Sequence, residues 1–494
     1  MSKTLDAPRR PTGDEALFLQ RVRPVDWKNP EPRDCYDLTI IGAGPAGIVA
    51  AKLAARLGFS VALVERNRIG GNSLNSGSIP SKAIIRTARV SADIHEAEVF
   101  GAPAPHENVP DFSAALARMR RIRTRIAEFH SVDSLVALGV QVFFGDARFE
   151  TRDTLVIGES RLKFTKCLVA TGARPRTSNI PGLNQIGYCT SDTIFEMSTL
   201  PKRLVVVGGG PLGCELAQAF CRLGPHVTIV QDEPKFLPGE ERDAAEILSW
   251  SMARDGVEIH LNTSVVGVRE VGGTKVLETV NNEVRSTIQA DEILLCIGRV
   301  PNVEDLGLES AAIELGSDGG IRVDDFLCTS NPSVYAAGDV CMPYKFTNAA
   351  QASARMAVQN ALLSGRQRHT ELTIPWCTFC DPEIAHVGLR VLEARQRSIP
   401  IKSLTIMMQD VDRAITDGQD VGYLKIHIED GTDNILGATI VASRASELVN
   451  EMAVVLGSGI GMNKLASIVH TYPTESRAIS LAALAYVRAQ SINS

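Results

Sequence analysis

The chain has 494 residues, with 51 Lys+Arg against 57 Asp+Glu, a formal net charge of -6 and 10 cysteines. At roughly 100 to 200 residues per domain, that length predicts about three domains and excludes a single small binding module, while the near balance of charge excludes a global attraction to nucleic acid or an anionic membrane. The start has no signal-peptide core, no apolar run of about 18 residues occurs, and the cysteines are scattered, so the chain reads as a soluble, cytoplasmic protein with reduced thiols.

Residues 1–34 carry Pro11, Pro24, Pro30 and Pro32 among many charges and read as an extended arm, with Leu17, Phe18 and Leu19 as the one apolar patch able to dock. From Tyr36 the grammar changes: an apolar strand through Leu38, Thr39, Ile40 and Ile41, a glycine turn, an alanine-rich helix to Leu57, and a second strand Val61 to Val64. That is a β-α-β unit. Phe112 to Phe129 reads as a helix, its apolar residues Leu116, Met119, Ile122, Ile126 and Phe129 spaced by three and four. A second β-α-β unit runs from Arg203: a strand through Val205 to Val207, a glycine turn, a helix to Leu223 and a strand Val227 to Val230. Beyond about residue 370, strand-like and helical segments without a glycine fingerprint suggest a third domain.

Gly42-Ala43-Gly44-Pro45-Ala46-Gly47 follows a strand and opens a helix, the setting in which such glycines permit a tight turn, close approach to a pyrophosphate and close helix packing. The helix N-terminus then faces the anion. Glu65, with Arg66 after it, closes the next strand, where a carboxylate can accept from ribose hydroxyls. Gly208-Gly209-Gly210-Pro211-Leu212-Gly213 repeats the loop, and the same offset lands on Gln231, followed by Asp232. An amide can still bond a ribose hydroxyl, and Asp232 would repel a 2′-phosphate, so the pattern favours NADH over NADPH; Lys235 is the feature that argues the other way.

Two such loops in this order, with Ala170-Thr171-Gly172-Ala173-Arg174-Pro175, Gly298-Arg299-Val300-Pro301-Asn302, Ala336-Ala337-Gly338-Asp339-Val340 and Tyr472-Pro473-Thr474, resemble the pyridine nucleotide-disulfide oxidoreductases. The likeness covers about residues 35 to 490, and the arm segment Arg23 to Pro30 looks most like the mercuric-reductase-like branch. It implies an α/β protein with two doubly wound Rossmann-like dinucleotide-binding domains and a C-terminal α+β dimerisation domain. Residues 35–184 with 297–368 would bind FAD, 185–296 would bind NAD(P)H, and 369–494 would form the homodimer interface. The implied FAD contacts are Gly42, Gly44, Pro45, Ala46, Gly47, Glu65, Arg66, Gly71, Asn72, Ser73, Lys82, Thr171, Gly172, Gly298, Gly338 and Asp339; Gly208, Gly210, Gly213, Gln231 and Asp232 would hold the nicotinamide nucleotide.

The sequence leaves the family pattern at two places. The segment that carries two redox cysteines in the family reads Gly70-Gly71-Asn72-Ser73-Leu74-Asn75-Ser76-Gly77-Ser78-Ile79-Pro80-Ser81-Lys82, with Ser73 and Ser78 at the thiol positions. A serine forms neither a disulfide nor a thiolate. At the other end, the family's catalytic imidazole is Tyr472 and its orienting carboxylate is Arg477. A phenol with an ordinary pKa near 10 is a poor base toward a thiol. Laboratory replacement of two cysteines accounts for the serines and not for Arg477, so the departure reads as natural; the terminal residues also lack the paired cysteines that mercuric reductases use. Lys82 and Glu215 remain, the pair that the family places near flavin N5 and the nicotinamide.

Other signals read as structural. Cys377 and Cys380 have Cys-x-x-Cys spacing but no second pair or histidine, so no metal site is expected; His386 reads as a buried structural histidine, Arg118, Arg120, Arg121, Arg123 and Arg125 as a solvated face, and Ser78 equally as a helix cap. The resulting expectation is an FAD-dependent NAD(P)H oxidoreductase without a disulfide relay, exchanging electrons with a small organic molecule, a quinone or dioxygen. Catalytic residues would be Ser73, Ser78, Lys82, Glu215 and, from the other protomer, Tyr472 as a proton donor. A flavin-binding scaffold without turnover is the alternative, and retention of Lys82 and Glu215 argues against it.

Overall fold

The computed structural model describes residues 13–103 and 110–493; Pro11 and the rest of the first twelve residues of the arm lie outside them. Three sheets organise the chain. In the first, Gln141–Phe144, Val61–Glu65, Tyr36–Ile41 and Ser160–Val169 lie side by side and parallel, and Val334–Ala336 adds to Ser160–Val169, also parallel. Thr154–Ile157 and Ala147–Phe149 continue it antiparallel. Tyr36–Ile41 is apolar almost throughout because both its faces are covered: Leu38 and Ile40 pack on the side of the glycine-loop helix, Tyr36 and Ile41 on the other. That helix, Pro45–Arg56, lies against Thr347–Leu362, and both present alanines (Ala46, Ala50, Ala54; Ala350, Ala354, Ala357), which let the two backbones approach.

The second sheet is also parallel, in the order Glu258–His260, His226–Val230, Arg203–Val207, Glu292–Leu295, Cys189–Thr190, with an antiparallel meander Thr263–Val271, Thr274–Asn281, Val284–Ala290 beside it. The third is antiparallel: Trp376–Thr378, Glu383–Gly388, Ile435–Ala442, Tyr423–Glu429, Ile401–Met407. Helices Ala445–Gly457 and Arg477–Asn493 belong to this last unit. Buried charges tie the second sheet's helices to the third: Arg222 pairs with Asp255 at 2.9 Å and Asp381 at 2.7 Å, and Glu241 accepts from Lys425 at 2.7 Å and bonds His427 at 2.8 Å. The fold is thus mixed α/β with two Rossmann-like sheets and a C-terminal unit of one antiparallel sheet with its own helices. No helix among the described residues is long and apolar enough to cross a membrane.

The arm differs from the extended segment read from its prolines. Asp14–Val22 is a helix because Phe18 and Val22, one turn apart, are both fully buried against the first unit, and Asp14 and Glu15 sit in the first turn where the helix dipole favours them. Leu17, by contrast, stays exposed. Arg123, assigned from sequence to a solvated face, is buried: it pairs with Glu15 at 2.6 Å, lies over the Phe18 ring at 4.2 Å and donates to Asn75 O at 3.2 Å. Its own helix spans Phe112–Ala127 and tightens into a 3-10 turn, Glu128–His130, which leaves Phe129 outside the apolar stripe and exposed.

Candidate functional site

The first glycine loop leaves the strand Tyr36–Ile41 at Gly42, whose φ of +101° only glycine adopts readily, and a Cβ there would stand 2.4 Å from Ala170 O. A Cβ on Gly47 would stand 1.8 Å from Gly42 O, so the helix packs directly on its own turn. Gly44 precedes the helix without a side-chain cap and Pro45 fills its first turn, so the leading amides are left for an anion. Glu65 braces the loop: Oε2 accepts from Ala43 N and Oε1 from Asn67 N, both at 2.8 Å, while burial pushes its carboxyl above the usual range. Arg66 follows, exposed, its carbonyl accepting from Arg23 at 3.1 Å.

Remote segments close around this loop. The turn Gly71–Asn75 lies against it so tightly that a Cβ on Gly71 would stand 2.7 Å from Gly44 Cα. Asn72 donates to Ala173 O at 2.7 Å, and Thr171 to Asn302 O at 2.7 Å. Gly172, Gly298 and Gly338 all have positive φ. Asp339 sits in the 3-10 turn Gly338–Val340; burial raises its carboxyl pKa, opposed by nearby Arg299 and Lys345. An uncapped helix start, a glycine cradle that side chains would fill and a buried acidic residue at the next strand's end fit the phosphates and ribose of an adenine dinucleotide.

The second loop repeats this construction: Gly208 has φ of +106°, a Cβ on Gly213 would stand 2.1 Å from Gly208 O, and Gly210 precedes the helix Pro211–Arg222. Gln231 takes the place of Glu65 in detail, its Oε1 accepting from Gly209 N at 2.6 Å. The carbonyl end of the amide is therefore committed to the loop, and only its N–H₂ remains for a ribose hydroxyl. Asp232 and Lys235 are both exposed.

Between the two loops, Lys82 Nζ meets Glu215 Oε2 at 2.7 Å, with the glutamate side chain 5% exposed. Phe379 completes this pair: its N–H donates to Glu215 Oε1 at 2.9 Å and its ring lies 4.2 Å from Lys82 Nζ. Ser73 Oγ accepts from Thr347 Oγ1 at 3.1 Å. Ser78 is the first residue of the helix Ser78–His95 rather than its cap, which is Gly77; its hydroxyl is exposed and has no hydrogen bond among the described residues. Beside Ser73 opens a cavity of about 180 Å³, walled by Ile48, Leu74, Ile79 and Ile126, with Thr347, Gln351 and His130 as its other polar groups. Thr347 and His130 come from segments with no motif, and Phe379 lies inside the Cys377–Cys380 spacing, which reads as structural and does not point to this site.

Tyr472 is not joined to the serines within one chain. It is 67% exposed, and its hydroxyl donates to Asp412 Oδ2 at 2.9 Å, a carboxylate that raises the phenol's pKa. Arg477 bonds Ser480 Oγ at 2.8 Å. Cys377 and Cys380 are free thiols whose pKa burial pushes well up. His386 is fully buried, bonded to Thr439 Oγ1 at 2.7 Å and Gly388 O at 3.0 Å, with burial pulling its pKa down to about 4.

The family model described as pyridine nucleotide-disulphide oxidoreductase matches residues 36–362, and its dimerisation domain matches residues 374–483. The chain belongs to the pyridine nucleotide-disulphide oxidoreductase family, whose members are FAD- and NAD(P)H-dependent oxidoreductases, and the dimerisation match points to a homodimer. Its relatives include a mercuric reductase of Streptomyces lividans, 32% identical over 455 residues (91% of this chain, 95% of the relative). Dihydrolipoyl dehydrogenase 3 of Haloarcula marismortui is 32% identical over 463 residues, 90% of this chain and 95% of that one. Among solved structures, LpdA of Mycobacterium tuberculosis superposes with a TM-score of 0.84 at 28% identity, covering 91% of this chain and 99% of that one. The HOCl-induced flavoprotein disulfide reductase RclA of Escherichia coli gives 0.82 at 25% identity, covering 92% and 100%.

Proposed function

We propose that this protein is an FAD-dependent NAD(P)H oxidoreductase that exchanges electrons with a small organic molecule, a quinone or dioxygen, without a disulfide relay. The observation that carries the reading is the pairing of an intact Lys82–Glu215 bridge with hydroxyls, Ser73 and Ser78, at the positions where the family pattern places thiols. Bound FAD would supply the two-electron redox chemistry. The chain's own residues divide the remaining work. Gly42 to Gly47, Glu65 and Asp339 hold the dinucleotide, while Gly208 to Gly213 and Gln231 hold the nicotinamide nucleotide, with NADH favoured because exposed Asp232 repels a 2′-phosphate. Lys82, held in place by Glu215 and Phe379, offers a fixed positive charge toward electron-rich flavin.

On the other side, Ser73 and Thr347 offer hydroxyls at the wall of an open cavity whose lining carries no formal charge other than what His130 could acquire. An ionic substrate would lose hydration there without a counter-charge, so the acceptor we favour is uncharged. Residues 35–184 with 297–368 form the FAD unit in this reading, 185–296 the nucleotide unit and 369–494 the interface between the two subunits. The test is anaerobic mixing of the purified flavoprotein with NADH or NADPH while the oxidised-flavin absorbance is followed. Rapid bleaching supports an enzyme, and faster bleaching with NADH supports the nucleotide assignment. No bleaching with either nucleotide supports a scaffold without turnover.

A further inference from the structure

The cavity beside Ser73 contains one titratable side chain, His130, carried by the 3-10 turn Glu128–His130. Its Nδ1 is buried and has no hydrogen-bond partner. The residue as a whole is partly exposed and lines the cavity, and no hydrogen bond is made by Nε2 among the described residues, so Nε2 is the ring nitrogen left to face the opening. An imidazolium carries a proton on both nitrogens, and here one of those protons would be buried without an acceptor. Lys52, anchored to Phe129 O at 2.6 Å, adds a positive charge nearby. Burial first and Lys52 second hold the histidine pKa below its ordinary value, which keeps the ring neutral at neutral pH.

We propose that His130 is a catalytic residue of this cavity, its Nε2–H donating a hydrogen bond to the oxygen of an uncharged, carbonyl-type acceptor lodged beside Ser73. The inference rests on the reading of the cavity as the acceptor site and deepens it, because it selects a molecule with an oxygen that gains negative charge on reduction. A cavity of roughly 150 Å³ holds a single six-membered ring, and this one, at about 180 Å³ and walled by Ile48, Ile79 and Ile126, suits such a ring. The stoichiometry is NAD(P)H + H⁺ + acceptor giving NAD(P)⁺ + dihydro-acceptor. Two electrons and one proton leave the nucleotide as a hydride equivalent, and the second proton comes from water through the open side of the cavity. Before that proton arrives, charge resides on the acceptor oxygen, and a fixed N–H aimed at it lowers the barrier. The C-terminal motif, with Tyr472 bonded to Asp412 in place of a histidine, leaves this task to another group.

The experiment compares the flavoprotein with its His130→Leu and His130→Gln forms, using 1,4-benzoquinone as the probe. Removing one such donor typically costs about 10² to 10³ in rate. We expect His130→Leu to lower kcat/KM for benzoquinone by at least about tenfold, His130→Gln to recover most of it through its amide N–H, and anaerobic bleaching by NADH to be the same in all three. Nitrogen NMR of histidine-labelled protein should show His130 neutral with the proton on Nε2 at pH 7. Unchanged kcat/KM in His130→Leu, with an active parent, overturns this inference alone, as does an Nδ1-protonated ring. A parent that bleaches with NADH and is reoxidised by no uncharged acceptor overturns the acceptor reading and this inference with it.

Discussion

The nucleotide side and the serine side of the site are built on opposite electrostatic plans. On the first, a buried carboxylate, Glu215, is matched by Lys82 at 2.7 Å and again by the Phe379 amide at 2.9 Å. On the second, the nearest equivalent is a 3.1 Å bond between two hydroxyls, Ser73 and Thr347, at the edge of a cavity lined by uncharged groups. Burying a charge is expensive unless it is paired, and in the proposed reading this bridge stands where the reaction develops charge. Thiolate chemistry would need comparable provision on the serine side: a low thiol pKa and an imidazole base. The serines supply no thiol, and the one imidazole there, His130, is made a weak base by burial and Lys52; in the proposed reading the two sides therefore support different halves of a reaction.

The comparison breaks most severely if Glu215→Gln or Lys82→Met leaves nucleotide-driven bleaching intact. Each removes one partner of the bridge, and we expect bleaching by NADH to slow by about 10² to 10³ with reoxidation little changed, read by anaerobic stopped-flow absorbance. The next effect belongs to the serine side. Ser73→Cys with Ser78→Cys should form a disulfide that reduced flavin opens, with thiolate charge-transfer colour, yet turnover of oxidised glutathione or lipoamide should stay about a hundredfold or more below that of the uncharged acceptor, because Tyr472 and Arg477 supply neither base nor orienting carboxylate. Fast disulfide turnover by that variant would show that the serines alone separate this chain from its thiol-bearing relatives.

Smaller effects sharpen the picture. Asp232→Arg removes a repulsive charge and supplies a phosphate partner, and should shift kcat/KM about tenfold toward NADPH; unchanged preference would place the ribose away from Gln231 and Asp232. Tyr472→Phe removes one exposed hydrogen bond, to Asp412, which competes with water, and should alter acceptor turnover by only about two- to tenfold. A larger loss would restore the phenol as the main proton donor.

What the sequence revealed follows the range of the interactions. The glycine loops were legible because their constraints are local: Gly42 and Gly47 meet within one turn, and Glu65 returns to Ala43 across a single β-α-β unit. Gln231 was legible as a substitute for Glu65, but not the commitment of its Oε1 to Gly209, which is a matter of side-chain orientation. Lys82 and Glu215 could be paired only through the family resemblance, since 133 positions separate them. Arg123 was misread as solvated because its partner, Glu15, lies on an arm whose prolines mask a helix set by Phe18 and Val22. Phe379, Thr347 and His130 enter the site from three unrelated segments; Thr347 and His130 carry no pattern of their own, and the Cys-x-x-Cys spacing around Phe379 gives no hint of its contact with Lys82 and Glu215.

The central claim, that electrons pass from nucleotide to acceptor without a thiol relay, is tested most directly by reoxidation after anaerobic reduction. One equivalent of NADH is used to bleach the flavin, and oxidised glutathione, lipoamide or an uncharged benzoquinone is then mixed in while oxidised-flavin absorbance is recorded. Recovery of absorbance with the quinone and none with either disulfide is the predicted result; rapid recovery with a disulfide would contradict it.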